Sequence, residues 1–420
     1  MREYIIRGGA PLHGEIPLQG AKNSVLPILA ASLLCDRDSV QLDNCPVLED
    51  VHLSVHILQS LGCEVTRIGQ EIRVYTKNFK NIALPKALCG GMRSSILYLG
   101  PLLAKCGSAQ MYAPGGCLLG RRPVDIHLSA LSQMGARFDV EKERITASAP
   151  DGLAGCDIVF PYPSVGATEN IIMAASLARG ITTITGAAAE PEIGDLVDFI
   201  NAMGGRVRQN GKTITVYGVE ALHGCRKTVI PDRIAGFTYL AAALATDGRV
   251  TLSGCRFPHM RSTLEMLSSA GGVITVNEDK ITAYRRGAFL LSVPEIETGP
   301  YPAFPTDAGA IALTLLSLAR GCGVLHETVF SDRFGVAEQL RALGADIQIE
   351  GQKATVRGVG ALNGCRVQAT DLRAGAALIV AALAAKGETV VAGGEHIIRG
   401  YENITENLQA LGADIEERRS

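Results

Sequence analysis

The sequence predicts an α/β protein made of six copies of one unit of about 70 residues, gathered into two closed groups of three. Two recurring elements predict it. The first is a helix-period segment that meets a Gly-containing turn and runs into an alternating strand pair. It occurs as "LQSLGCEVTRIGQEIRVY", "LSQMGARFDVEKERITAS", "INAMGGRVRQNGKTITVY", "LSSAGGVITVNEDKITAY", "LRALGADIQIEGQKATVR" and "LQALGADIEERRS". The leading turn glycines are Gly62, Gly135, Gly204, Gly271, Gly344 and Gly412, spaced by 73, 69, 67, 73 and 68 residues. The second is a helix of small apolar residues followed by a short strand, as in "KNSVLPILAASLLCDRDSVQL", "ATENIIMAASLARGITTIT" and "DAGAIALTLLSLARGCGVLHE".

Each repeat glycine follows an apolar helical stripe, where a left-handed residue ends a helix. The residues after it alternate, break at a polar or Gly turn and alternate again, which predicts a hairpin. The small-residue helices carry little charge until their ends, so they are expected to be buried nearly all round. An open solenoid also gives six repeats, but a buried helix in every unit favours closed groups. Three units per group divide the chain near "CRKTVIPDR", at about residue 229.

Composition narrows the function. The chain has 420 residues, is 47% hydrophobic and 20% charged, and has a net charge of −2. This is the balance of a soluble globular protein, with no global field for nucleic acid or membrane surfaces. There is no Trp, and aromatics at 5% leave little for stacking on single-stranded nucleic acid. Eleven cysteines, an odd number without a CxxC pair, suggest neither a disulfide framework nor a zinc site and point to a reducing compartment. "MREYIIRGGAPLHG" lacks the features of a signal peptide. The longest apolar stretch, Ala374 to Ala385, is about half of a membrane span. The expected location is the cytoplasm.

The loops between units carry charge beside small residues: Lys22 and Asn23 in "GAKNS", Arg93 in "GGMRSS", and Cys117, Arg121 and Arg122 in "PGGCLLGRRPVD". Further along come Asp307 in "FPTDAGA", Arg333 in "SDRFG", Asp371 and Arg373 in "TDLRAG", and Arg399 in "IIRGYE". Several open buried helices, whose N-termini already present free N–H groups and positive dipole ends, so an anionic partner explains added cations there. Lys22 is not part of a Walker loop, because the glycine spacing is wrong. His52 and His56 are four apart but have no third ligand, so a solvated helix face is expected and no metal. Cys117, with two glycines before it and two arginines after, reads as a reactive thiol or as an inert loop cysteine. Asp307 reads as a helix N-cap or as a base.

These residues resemble the UDP-N-acetylglucosamine 1-carboxyvinyltransferase family of enolpyruvyl transferases. The likeness runs from Tyr4 to "LGADIEE" and is most specific in "MRSSILYLGPLLAKCGSAQMYAPGGCLLGRRPVDIHLSALSQMGA". "GAKNS", "PSVGATENI", "PAFPTD", "ETVF", "ATDLRA" and "RGYE" follow the same order. The resemblance implies a two-domain inside-out α/β barrel, three repeats per domain. One domain would span 21–229 and a discontinuous second would comprise 1–20 and 230–420, with substrates in the cleft between them. It implies transfer of the enolpyruvyl group of phosphoenolpyruvate to the 3′-hydroxyl of UDP-N-acetylglucosamine, the first committed step of peptidoglycan precursor synthesis, without a cofactor.

It also implies roles. Lys22, Asn23, Arg122 and Arg399 would bind phosphoenolpyruvate; Cys117 would protonate its methylene carbon, form a covalent adduct and be the target of fosfomycin. Asp307 would be the base or positioning group for the acceptor hydroxyl. Arg93, Arg122, Pro123, Val124, Asp125, Ile126, Ser164, Val165, Gly166, Asp307 and Val329 would contact the UDP-sugar, and Arg333, Asp371 and Arg373 would line the second domain's wall. A monomer or weak oligomer is expected, with no nucleic acid or membrane partner. The chain departs from the family pattern at Ala189, at Ala235 to Phe237, at Ala308 to Ile311 and at Ile398. The sister 5-enolpyruvylshikimate-3-phosphate synthases share fold and donor, but the Cys-bearing loop and "RRPVD" argue against that acceptor. A silent UDP-sugar-binding relative is the alternative from another class.

Overall fold

The computed structural model describes residues 2–36, 38–115 and 124–419. The described chain forms two compact units, one of residues 2–19 and 231–419, the other of 20–115 and 124–230. It passes between them at Gln19–Gly20 and at Ile230–Pro231.

All six repeat glycines adopt positive φ, from +92° at Gly271 to +102° at Gly135. Five close a Schellman motif, in which the N–H of the next residue donates back to the helix: Cys63 to Leu58, Ala136 to Leu131, Gly205 to Ile200, Ala345 to Leu340 and Ala413 to Leu408, at 2.9–3.0 Å. A side chain at these positions costs about 1 kcal/mol or more in backbone strain. Five of the six turns release the chain into an antiparallel hairpin, such as Glu64–Ile68 with Glu71–Tyr75 and Asp346–Glu350 with Lys353–Arg357. The sixth, at Gly412, departs from the expected hairpin, because the one strand after it, Asp414–Arg419, pairs antiparallel with Arg2–Arg7.

Each unit has three sheets. In five of the six, an antiparallel pair (a hairpin in four, Arg2–Arg7 with Asp414–Arg419 in the fifth) gains an antiparallel strand and then a parallel one, giving four strands. The sixth has three, because the parallel partner is reduced to a single bridge between Ala83 and Gln110. Sheet residues alternate between buried and accessible, as in Thr213–Tyr217 and Lys353–Arg357. The small-residue helices lie beneath: Lys22–Ala31, Leu99–Cys106 and Val165–Ala175 in one unit, Arg233–Ala245, Gly309–Leu318 and Leu372–Ala384 in the other. Gly309–Leu318 is buried at every position.

This is an inside-out α/β barrel in each unit, helices within and sheets without, each with its own apolar core. Close helix approach explains the composition, since Ala and Gly let helix backbones come near while Leu and Ile fill between them. Each fully buried Leu or Ile adds roughly 1.5–3 kcal/mol. Among the described residues, no helix is long and apolar enough to cross a membrane.

Candidate active site

In the unit of residues 231–419, Asp307 does not cap a helix. It sits in the 3-10 turn Thr306–Ala308, and the helix Gly309–Leu318 that follows has no side-chain cap. Pro305 is extended (φ −72°, ψ 134°) on the approach to the turn, and the helix starts only at Gly309. Its Oδ1 accepts from Arg333 Nη2 at 2.5 Å and its Oδ2 from Arg373 Nη2 at 2.9 Å. The arginines are nearly buried, with side chains 9% and 7% exposed against 25% for Asp307. Burial works against the Arg373 charge, but Asp307, Tyr401 and Asp232 outweigh it and carry its pKa above the ordinary guanidinium range.

The capping role belongs to Asp371, whose Oδ1 accepts from the N–H groups of Arg373 (2.8 Å) and Ala374 (3.0 Å) at the start of Leu372–Ala384. That cap sets the first helical turn and so aims Arg373 at Asp307. Arg399 ends the 3-10 turn Ile397–Arg399 and is half-buried. Its following peptide is held by Gln19, which donates to Gly400 O (2.9 Å) and accepts from Glu402 N (2.8 Å). Val329 is exposed, with its N–H donating to Glu327 Oε1 at 2.8 Å. The departures at Ala235, Phe237, Ala308 and Ile311 are packed in this unit's core.

In the unit of residues 20–230, Lys22 opens its helix, and its Nζ donates to Asp50 Oδ2 at 3.2 Å. Asn23 is exposed beside it. The next residue anchors the turn: Ser24 Oγ donates to Asp195 Oδ2 at 2.5 Å, and Asp195 also accepts from Ile230 N at 3.2 Å. Arg93 begins the 3-10 segment Arg93–Tyr98, and burial lowers its pKa.

Asp125 and Ile126 open the helix Asp125–Gln133, with Val124 at its cap. Ser164 caps Val165–Ala175 through its side chain, so Ser164, Val165 and Gly166 form a helix N-terminus. His127 joins these two stretches: a Cβ on Gly166 would lie 3.3 Å from its ring. Cys117, Arg121, Arg122 and Pro123 lie outside the described residues. His52 and His56 are exposed on Glu49–Ser60, and no metal-binding cluster exists among the described residues.

Sequence reasoning missed His127, Asn170, Asp195 and Glu327. His127 is 5% exposed, and its protonation is fixed by Asn170. Asn170 Oδ1 accepts from Gly100 N at 2.7 Å, so its Nδ2 is the donor, to Ile96 O at 2.9 Å and to His127 Nδ1 at 3.1 Å. Nδ1 is therefore the acceptor and the imidazole proton lies on Nε2. Burial, and then the nearby Arg93 charge, lower its pKa to about 4, so the ring is neutral at physiological pH. The available signal was a polar "TEN" inside an otherwise apolar helix.

The chemistry these groups offer is anion binding: a helix-opening lysine, a capped helix N-terminus and two arginines on one carboxylate. The family described as EPSP synthase (3-phosphoshikimate 1-carboxyvinyltransferase) matches residues 6–408. The UDP-N-acetylglucosamine 1-carboxyvinyltransferase of Solidesulfovibrio magneticus is 44% identical over 417 residues, 99% of each chain. That of Finegoldia magna is 44% identical over 407 residues, 96% of each, and that of Wolbachia pipientis from Culex pipiens 42% over 423, 99% of each. Among solved structures, the enolpyruvyl transferase NikO from Streptomyces tendae superposes with a TM-score of 0.90 at 25% identity, over 100% of this chain and 99% of that one. EPSP synthase from Acinetobacter baumannii shares the fold at 0.79 and 20% identity, over 100% of both chains. Relatives this similar along nearly the whole chain carry one name, and this chain accordingly belongs to the enolpyruvyl transferase family, among its UDP-N-acetylglucosamine 1-carboxyvinyltransferases.

Proposed function

We propose that the protein transfers the enolpyruvyl group of phosphoenolpyruvate to the 3′-hydroxyl of UDP-N-acetylglucosamine, releasing phosphate. The observation that carries the reading is the 42–44% identity, at essentially full length, to relatives bearing that activity's name. The arginine-clamped Asp307 fits the chemistry. The acceptor oxygen adds to C2 of phosphoenolpyruvate while C3 takes a proton, giving a tetrahedral intermediate that carries both phosphate and carboxylate. Loss of a proton from C3 and cleavage of the C2–O bond to phosphate then regenerate the double bond. Negative oxygens persist throughout, so preorganised cations are the main stabilising element.

In this reading Lys22, Asn23, Arg122 and Arg399 hold the donor, and Cys117 supplies the proton to C3. Arg93, the stretch from Arg122 to Ile126, Ser164 to Gly166 and Val329 hold the UDP-sugar. Asp307 orients the acceptor hydroxyl and takes its proton. With both oxygens engaged by guanidinium groups, it is a weak base until an incoming anion draws one of them away. The donor's own charge thus readies the acceptor's base.

The test is phosphate release from phosphoenolpyruvate, with UDP-N-acetylglucosamine and shikimate 3-phosphate as parallel acceptors. Release with the nucleotide sugar alone is expected. Release with shikimate 3-phosphate alone would replace the acceptor, and release with neither would leave a silent UDP-sugar binder.

A further inference from the structure

We propose that Glu327 is a positioning residue for the acceptor side of this reaction, its buried carboxylate joining the Asp307 turn to the Val329–Phe330 backbone. The inference rests on the roles proposed above for Asp307 and Val329.

Glu327 is 1% exposed. Its Oε2 accepts from the Thr306 hydroxyl at 2.8 Å, and Thr306 immediately precedes Asp307. Its Oε1 accepts from Val329 N at 2.8 Å and Phe330 N at 3.1 Å. The contacts continue into a closed ring. The Phe330 ring lies 5.1 Å from the Arg333 guanidinium, and Arg333 donates to Asp307. Glu327 therefore acts on Asp307 from two sides: through the Thr306 backbone, and through the phenyl ring that supports its arginine.

Among the described residues no ion pair to Glu327 is present, so three neutral dipoles stabilise its charge. Burying a carboxylate is costly unless its oxygens are hydrogen-bonded, and each of these bonds is strengthened by that charge. An apolar side chain would fill the space but hold neither segment. Gln would keep a weaker hold, since the Thr306 hydroxyl can turn to accept from its amide. The segment does not depend on Glu327 to stay folded: Thr328 N donates to Thr298 Oγ1 (3.0 Å), and Thr328 Oγ1 to Thr298 O (2.6 Å). Losing the carboxylate would loosen placement more than fold.

The experiment compares wild type, Glu327→Ala, Glu327→Gln and Thr306→Val in steady-state kinetics and amide exchange. Glu327→Ala is expected to lower kcat roughly tenfold to a hundredfold, as sub-ångström misplacement does. It should also raise KM for UDP-N-acetylglucosamine, leave KM for phosphoenolpyruvate unchanged and speed exchange at Val329 and Phe330. Thr306→Val, which spares those two amides, should lower kcat alone, and Glu327→Gln should recover much of what Ala loses. Wild-type constants in Glu327→Ala would overturn the proposal. So would an equal effect on both KM values with a lowered Tm and a normal Thr306→Val, which marks a structural staple. A wild type that releases no phosphate with UDP-N-acetylglucosamine overturns the parent reading, and this inference with it; an active wild type confines any failure to Glu327.

Discussion

Arg333 Nη2 meets Asp307 Oδ1 at 2.5 Å, across 26 residues of sequence and from a side chain only 9% exposed. Two charges brought together out of water need each other, and here the carboxylate also answers Arg373.

Asp307→Ala is expected to abolish measurable turnover, a loss of roughly a hundredfold to ten-thousandfold for a positioned base. It should also destabilise the protein by about 2 kcal/mol, less than a fully buried pair because Asp307 is 25% exposed. Phosphate-release rates and urea midpoints check both. Near-normal turnover would reduce Asp307 to a counter-ion for the two arginines.

His127 predicts acid sensitivity. Its pKa falls from 6.5 to about 4 on folding, because burial and then Arg93 disfavour its charge. The unfolded chain binds the extra proton, so this contribution is full above pH 6.5 and is lost as pH falls toward 4. The shift sets an upper limit of about 3 kcal/mol. Urea midpoints between pH 7 and 4 should fall more steeply in wild type than in His127→Gln; parallel curves would mean that the ring takes a proton without cost.

Glu169 predicts the opposite sign. It is buried in Val165–Ala175, and burial, then Glu192 and Glu190, raise its pKa well above 4.5. The protonated form favoured by the fold costs nothing below pH 4.5 but becomes a burden as pH rises toward the folded pKa. Glu169→Gln should therefore stabilise the protein at pH 7.5 and leave it unchanged at pH 4, read from the same midpoints. A loss of stability at pH 7.5 would show the carboxylate to be ionised and well paired.

What the sequence made legible was the periodic part. The repeat glycines, the hairpins after them and the buried helices all follow from local pattern, because backbone conformation and burial repeat with each unit. At the site, charged residue types beside small residues marked Lys22, Arg93, Asp307, Arg333 and Arg373, but not their pairing. Asp307 left two readings open, cap or functional carboxylate, since "PTD" before a helix suits both. Only the 3-10 turn and the two arginines exclude the cap. Glu327 and Asp195 were invisible for another reason: their partners are backbone groups or residues distant in sequence.

Thiol selectivity is a further expectation. Burial raises the pKa of Cys45 and Cys255 to about 12 and of Cys63 and Cys225 to about 11, whereas Cys322 is exposed. Iodoacetamide should label Cys322 readily. Fosfomycin, an epoxide phosphonate held by the donor-binding cations, should instead label Cys117, because proximity outweighs accessibility. Peptide mapping distinguishes them, and fosfomycin on Cys322 would remove the case for a special thiol at 117. Cys117→Asp should resist the drug and retain activity, since a carboxylic acid still donates a proton.

The most direct test of enolpyruvyl transfer follows one oxygen. Phosphoenolpyruvate labelled with heavy oxygen at the bridge between C2 and phosphorus is incubated with the protein and UDP-N-acetylglucosamine, and the products are weighed by mass spectrometry. Addition and elimination at C2 break the carbon–oxygen bond, so the label should leave in inorganic phosphate and the nucleotide sugar should gain an unlabelled enolpyruvyl ether. Label retained in pyruvate, with phosphate unlabelled, would mean cleavage at phosphorus and would contradict the account.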